Sequence, residues 1–282
     1  MRHAASNDAA GTVYLVGAGP GAADLLTVRA VRLLQRADVV FHDALVDPEV
    51  LALATRARRV AVGKRCGRHS TAQRFIERQL VEAARHHAVV VRLKGGDPMV
   101  FGRAQEEIDA LAAAGVPVHV VPGVTAACAA AAQLGRSLTV RGRARSVVLL
   151  TPRTGDGEPP NAWARAAAGA DTVALYMATH EAAAVIDALL AAGLSPQRPA
   201  VLVESASTAA ARALYGPLSA VPALAGALGG GPALLLIGEQ FARSGAARGG
   251  RPEPHAHNAP PAATRTTSAA AIAASVAFSQ PR

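Results

Sequence analysis

Two glycine-rich runs, each closing an apolar stretch, are the residues of this chain best placed to do chemistry. Val13–Gly21 reads VYLVGAGPG, and Val89–Arg103 reads VVVRLKGGDPMVFGR. Without side chains, Gly17, Gly19, Gly21, Gly95 and Gly96 allow sharp turns and close approach of a ligand to the backbone. Asp97 adds a carboxylate suited to an amine or a ribose hydroxyl. With Ala22, the first run also matches the GxGxxG/A dinucleotide pattern. Three features oppose that match. The helical pattern resumes only near Leu25, and Pro20 lacks a backbone donor. The acid expected about 20 residues on is not cleanly placed, because Asp38 opens the next strand and Asp43 follows it. A glycine turn or an Asp-Pro stop without any ligand would have the same composition. Two such loops at the ends of two apolar strands favour a ligand.

The basic residues add a second signal. Of 29, only Lys64 and Lys94 are lysines, and each adjoins a glycine. Both are expected in loops that follow strands. Arginine does not deprotonate in proteins, whereas lysine exchanges a proton when its surroundings lower its pKa. The arginines cluster where acids are missing. Residues 50–76 hold Arg56, Arg58, Arg59, Lys64, Arg65, Arg68 and Arg74 with no acid, and residues 110–155 hold Arg136, Arg141, Arg143, Arg145 and Arg153. Such stretches suit a polyanionic ligand, although solvated arginines on an ordinary surface would look the same.

Alternating strands and helices must position these loops. Strands are expected at Val13–Val16, Asp38–Phe41, Arg59–Val62, Ala88–Leu93 and Val116–Val121. Helices are expected near Leu25–Gln35, Pro48–Ala54, Thr71–Arg85 and Arg103–Ala114. This reads as a mostly parallel open sheet. A second series follows at Ser146–Leu150, Thr172–Tyr176, Ala200–Glu204, Ala211–Tyr215 and Ala233–Ile237. Helices fit Val124–Leu134 and Glu181–Ala192, the latter stopped by Gly193. The expected organisation is an α/β fold of two lobes, residues 12–122 and 123–243, between a disordered residue 1–11 segment and a disordered tail at 244–282. That tail is rich in Gly, Pro, Ala and Ser, with little to bury. Thr154–Pro160 reads as a polar loop.

Composition narrows the function classes. The net charge is +9, of which five arginines and one glutamate beyond Phe241 contribute +4. Cys66 and Cys128 lack metal-ligand spacing, so neither a metal site nor a disulfide scaffold is expected. No apolar run reaches the ~18 residues of a membrane span, and Met1–Gly11 has no apolar leader segment. A cytoplasmic protein with no membrane partner is expected. Aromatic residues make up 3% of the chain, too few for the stacking platforms of a single-stranded nucleic-acid binder.

Five motifs occur in order: VGAGPGxxxLLT (Val16–Thr27), HDALV (His42–Val46), VGKR (Val62–Arg65), LKGGDPxVFGR (Leu93–Arg103) and PGVTA (Pro122–Ala126). Together they resemble the tetrapyrrole methylases, and within them the group that methylates uroporphyrinogen III, over roughly Gly11–Phe241. The resemblance implies two α/β lobes with the active site in the cleft between them, and a homodimer. It implies S-adenosylmethionine as methyl donor, no metal, and a tetrapyrrole substrate with no nucleic acid. Cofactor contacts carry over to Pro20, Gly95, Gly96, Asp97, Val100, Thr125, Ala126, Met177 and Ala206. The family's proton acceptor carries over to Asp43 and its proton donor to Lys64, which the scarcity of lysine picks out separately. With no dehydrogenase or ferrochelatase segment ahead of the first motif, the stand-alone enzyme is the expected form. This sequence departs from the family at Ala22, Met99 and Ala104-Gln105, and in the second lobe at Gly135–Arg141, Thr151–Arg153 and Glu204–Ala206.

The implied reaction moves two methyl groups to C2 and C7 of uroporphyrinogen III, giving precorrin-2 on the way to sirohaem or cobalamin. Its substrate carries eight carboxylates, which Arg65, Arg68 and Arg103, the arginines nearest the motifs, would meet with charge-assisted forks. Three other readings stay open from the sequence: a flavin or nicotinamide oxidoreductase, an RNA methyltransferase of the same fold, and a tetrapyrrole-binding protein without catalysis.

Overall fold

The computed structural model describes residues 11–62, 69–154 and 162–242. All but Gly11 of the two expected terminal segments, and most of the Thr154–Pro160 loop, lie outside these residues. Among the described residues, ten strands form two five-stranded sheets. The first sheet holds β1 (Thr12–Gly17), β2 (Val39–His42), β3 (Arg58–Ala61), β4 (Val89–Lys94) and β5 (Val118–Val121) in the order β3-β2-β4-β1-β5. Every pairing in it is parallel. Parallel strands buried on both faces read as continuous Val/Leu runs, as β1 and β4 do. Helices α1 (Val28–Arg36) and α2 (Pro48–Ala52) cover one face, and α3 (His69–His86) and α4 (Ala104–Ala113) the other.

The second sheet is mixed. β6 (Val147–Leu150) lies parallel to β7 (Thr172–Tyr176), while β8 (Pro199–Glu204), β9 (Arg212–Pro217) and β10 (Ala233–Ile237) join through antiparallel pairs in the order β6-β7-β10-β8-β9. α5 (Ala126–Gln133) packs on one face through Ala127, Ala129 and Ala130. α6 (Trp163–Ala168), α7 (Ala182–Ala191) and α8 (Val221–Gly226) pack on the other. The chain crosses between lobes at Pro122–Thr125, with α5 already on the second sheet.

Several boundaries moved for local reasons. The helix expected from Leu25 begins at Val28, because the Thr27 hydroxyl caps it by accepting the Ala30 N–H at 3.1 Å. A 3₁₀ turn at Ala23–Leu25 precedes it. The strand expected from Val116 begins at Val118, since Gly115 is left-handed and the Val116 N–H donates back to the Leu111 carbonyl. Gly193 stops α7 as expected, with φ +99° and its N–H on the Leu190 carbonyl. Two short alanine-rich helices, α6 and α8, lack the apolar period that would have marked them. Lys94 is corrected: it is the last residue of β4 and buried, not a loop residue.

The ends of β1, β4 and β5 press against one another. A Cβ on Gly17 would lie 2.6 Å from the Gly123 Cα, and one on Gly123 would fall inside the Gly96 carbonyl oxygen. The loops behind them are joined as a two-bond bridge. Gly19 N–H donates to the Gly96 carbonyl (3.2 Å) and Gly96 N–H to the Gly19 carbonyl (2.7 Å). Gly123→Ala therefore forces backbone apart, and an overpacking cost of about 1–3 kcal/mol is expected, lowering the melting temperature by about 2–12 °C. Gly226→Ala, at the open end of α8 with nothing within 4 Å of its Cβ, should be neutral or stabilise by about 0.4–1 kcal/mol. Thermal unfolding of the two variants side by side checks the contrast.

Candidate active site

Lobe one supplies a glycine floor. Gly95 is exposed, and a Cβ there would meet only Leu45, at 3.5 Å. Gly96 is left-handed at φ +67° with open space beyond it. Pro20 lies half-buried in the loop after β1. Asp97 is tied into the backbone: its Oδ2 accepts the Gly123 N–H at 2.9 Å and its Oδ1 the Met99 N–H at 2.8 Å. It thus clamps the β4 loop to the β5 loop, a job the sequence reading did not give it. Val100 follows in the same turn, its N–H on the Asp97 carbonyl.

Lobe two meets this floor from above. Thr125 stands at the N-terminus of α5 with no capping bond from its side chain. Its hydroxyl instead pairs with the Tyr176 phenol at 2.7 Å, and the same phenol oxygen accepts the Ala127 N–H at 3.2 Å. Burial pushes the Tyr176 pKa up, so the phenol stays protonated. Its ring packs against Phe101 of lobe one at 5.1 Å between centroids. Met177 follows, left-handed and exposed. Ala206 is buried between left-handed Ser205 and Ser207. The Ser207 hydroxyl accepts the Ala22 N–H at 3.2 Å, while its own N–H donates to Gln133 Oε1 at 2.9 Å. A Cβ on Gly21 would lie 2.5 Å from the Thr208 methyl.

Strain and apolar exposure gather here. Among the described residues, the non-glycine positions with positive φ are Phe101, Arg103, Met177, Ser205 and Ser207, all in loops after β4, β7 and β8. Such conformations cost about 1–3 kcal/mol each and concentrate at functional sites. Of the exposed large hydrophobics, Met99, Phe101 and Met177 lie on these loops and Leu45 on the loop after β2. A glycine floor with an apolar rim and a few polar anchors fits a compact ligand.

Asp43 opens the loop after β2 at the same edge. Its N–H reaches the Leu93 carbonyl (3.4 Å), and its Oδ1 accepts Arg92 Nη2 at 2.6 Å. Arg92 Nε donates to Glu107 Oε1 at 3.1 Å, which also accepts Lys94 Nζ at 2.9 Å and Gln73 Nε2 at 3.3 Å. Arg92, Lys94, Gln73 and Glu107 are all buried. Glu107 Oε2 has no partner among the described residues. Burial, with Arg92 next, pushes the Lys94 pKa down, while Glu107 opposes that.

Of the expected site residues, Asp43, Pro20, Gly95, Gly96, Asp97, Val100, Thr125, Ala126, Met177 and Ala206 converge on the interlobe edge. Lys64, Arg65 and Arg68 lie outside the described residues. Arg103 is turned to its own helix, its Nε and Nη2 donating to the Glu106 carboxylate at 2.7 and 2.6 Å. The sequence reading missed Tyr176, Phe101, Ser207, Arg92 and Glu107. One signal was available: Arg92 and Lys94, two apart in an otherwise apolar strand, must share a face and need a buried acid.

The fold and cleft define a two-lobed α/β protein with glycine loops at its interlobe edge. The dinucleotide alternative lacks its main support, because no α-helix starts at the first glycine loop. A model of the tetrapyrrole (corrin/porphyrin) methylases matches residues 12–222, and the chain belongs to that family. It is 46% identical to a sirohaem synthase of Pseudomonas paraeruginosa over 233 residues, covering 82% of this chain and 50% of that protein. With the Chromobacterium violaceum sirohaem synthase the figures are 47% over 234 residues, 82% and 50%. The chain thus spans about half the length of these curated relatives. It also superposes on a uroporphyrin-III C-methyl transferase from Thermus thermophilus, crystallised with S-adenyl homocysteine. That match has a TM-score of 0.72 and 43% identity, covering 81% of this chain and 98% of that one.

The Tyr176 phenol joins Thr125 and the buried Ala127 N–H. Tyr176→Phe keeps the ring contact with Phe101 but strips that N–H of its acceptor, so a loss of about 1–2 kcal/mol is expected. A urea midpoint lowered without a change in slope would confirm it.

Proposed function

We propose that this chain is an S-adenosylmethionine-dependent C-methyltransferase that methylates uroporphyrinogen III at C2 and C7 to give precorrin-2. The observation that carries the reading is that Asp43 and the exposed Gly95-Gly96 turn follow the paired strands β2 and β4, with Leu45 of the Asp43 loop 3.5 Å from a Cβ on Gly95. The Thermus thermophilus protein, alike over nearly its whole length, is described as a uroporphyrin-III C-methyl transferase with S-adenyl homocysteine, which supports both donor and substrate.

The residues present fit the donor. Gly95 has no Cβ to fill the cradle, Gly96 leaves open space, and the apolar rim includes Met99, Phe101 and Met177. When bound, S-adenosylmethionine supplies an electrophilic methyl on a sulfonium, which an electron-rich carbon displaces in line. Gly95, Gly96, Val100, Thr125, Ala126, Met177, Ala206 and Pro20 are the residues assigned to hold it. Asp97 belongs to the same set: beside the backbone N–H that each oxygen accepts, its carboxylate keeps acceptor sites for the donor. Asp43 accepts the pyrrole N–H proton, raising the nucleophilicity of the ring carbon, and Lys64 supplies the second proton transfer. Arg65 and Arg68 serve substrate carboxylates. Arg103 does so only by giving up part of its Glu106 pair. A cytoplasmic homodimer is part of the same reading. Among the described residues no helix is long and apolar enough to cross a membrane, and no acid, His and Cys cluster is placed to hold a metal ion.

Incubating the protein with uroporphyrinogen III and methyl-labelled S-adenosylmethionine tests the activity; two labels per tetrapyrrole are expected, and none would end the reading. Asp43→Asn should lower kcat by about 10²–10⁴, the usual worth of a general base, with donor affinity unchanged. Near-normal turnover would remove Asp43 from the chemistry. Gly95→Val adds side-chain bulk at an exposed, unstrained position, so the variant should fold normally and lose more than about tenfold in donor affinity, roughly 1.4 kcal/mol. Titration calorimetry on the folded variant decides this; unchanged affinity would move the donor elsewhere.

A further inference from the structure

We propose that Glu107 is a positioning residue that sets the basicity of Asp43 from inside the lobe, acting through Arg92. This rests on the reading of Asp43 as the base. Three buried donors, Arg92 Nε, Lys94 Nζ and Gln73 Nε2, converge on Glu107 Oε1. On its far side the Arg92 guanidinium reaches the half-buried Asp43 carboxylate at 2.6 Å. The result is a line from the cleft to the core, Asp43–Arg92–Glu107–Lys94, with two acids and two bases in balance.

A role in stability alone explains this arrangement poorly. Buried ion pairs are commonly matched or bettered by apolar side chains of equal volume. Glu107 also leaves Oε2 with no partner among the described residues, so the group is not arranged for its own satisfaction. Apolar replacements could not hold a guanidinium against Asp43 or fix the charge behind it. A carboxylate facing an uncompensated pair of cations would be a poor base, and Glu107 supplies the compensation.

The charged groups facing this line are few. β4 brings Arg92 and Lys94, and α4 brings Glu107. β2 brings His42, whose Nδ1 lies 3.1 Å from the Asp43 carbonyl. α3 brings neutral Gln73, with Glu77 and, from α4, Glu106 farther out, and Arg103 at the start of α4 also interacts with Glu107. Lys64, in the segment after β3, lies outside the described residues.

The sign of the effect is fixed by charge. Glu107→Gln keeps volume and an acceptor but removes one negative charge, so Arg92 and Lys94 hold the Asp43 carboxylate ionised to lower pH. The acid limb of the kcat profile should move down by about 0.5–1 unit, less than a directly contacting charge achieves. kcat at the plateau should also fall, because a weaker base takes the pyrrole proton more slowly. Lys94→Met removes a positive charge instead, so the limb should move up. The double variant restores the balance and should return the limb towards its original position. Donor affinity should hold in all three. If Glu107→Gln does not fold, the Lys94→Met limb still decides. Limbs unmoved in the folded variants overturn the proposal, provided Asp43→Asn is inactive. An active Asp43→Asn overturns instead the assignment of the base.

Discussion

The close approach of three strand ends governs this molecule. Gly17, Gly96 and Gly123 bring the ends of β1, β4 and β5 so near that no Cβ fits on the first or the last. Parallel strands carry their ligand sites beyond their carboxyl ends, and here that edge is drawn tight by backbone contact. The Gly19–Gly96 bridge and the Asp97 clamp on Gly123 fix the loops. Everything placed there inherits this tightness: the exposed Gly95, the Asp43 loop and the start of α5.

Side chains of the second lobe fasten it to that edge. Ser207 reaches Ala22 and Tyr176 meets Phe101, while inside the second lobe Thr125 turns its hydroxyl from its own helix to the same phenol. Left-handed Phe101, Met177 and Ser207 make these contacts or adjoin them. Such conformations persist only where the surroundings over-determine them, and here the partner lobe supplies part of that constraint. The interlobe edge and the strained loops therefore stabilise one another.

Much of this was legible in the residues. Both glycine runs lie where an apolar strand ends, and the alternating pattern placed β7 and β10 to the residue. The five ordered motifs pointed to the family to which the chain belongs. Other features were hidden for physical reasons. α6 and α8 are short and alanine-rich, so no apolar period announced them. Asp97 has a structural task that a sequence does not show, because each of its oxygens accepts a backbone N–H. Tyr176 reads as the last apolar residue of a strand, and only the approach of Thr125, at the start of a helix packed on the same sheet, gives its hydroxyl a task. The Arg92–Glu107 pair joins residues on a strand and a helix, and the charged positions in an apolar strand signalled a need without naming the partner.

The strand orders of the two sheets bear on how the protein emerges during synthesis. All five strands of the first sheet have been made by Val121, so that lobe can close while the remainder is still being translated. The second sheet is different, because its central position between β7 and β8 is taken by β10, the last of its five strands in chain order. Until Ala233–Ile237 leaves the ribosome, β7 and β8 have no common neighbour, and their apolar edges stay open. Domains generally fold as units, the N-terminal one first. A nascent chain would thus carry a finished first lobe with its glycine edge uncovered, and the ligand cleft would be completed only when β10 zips the second sheet together.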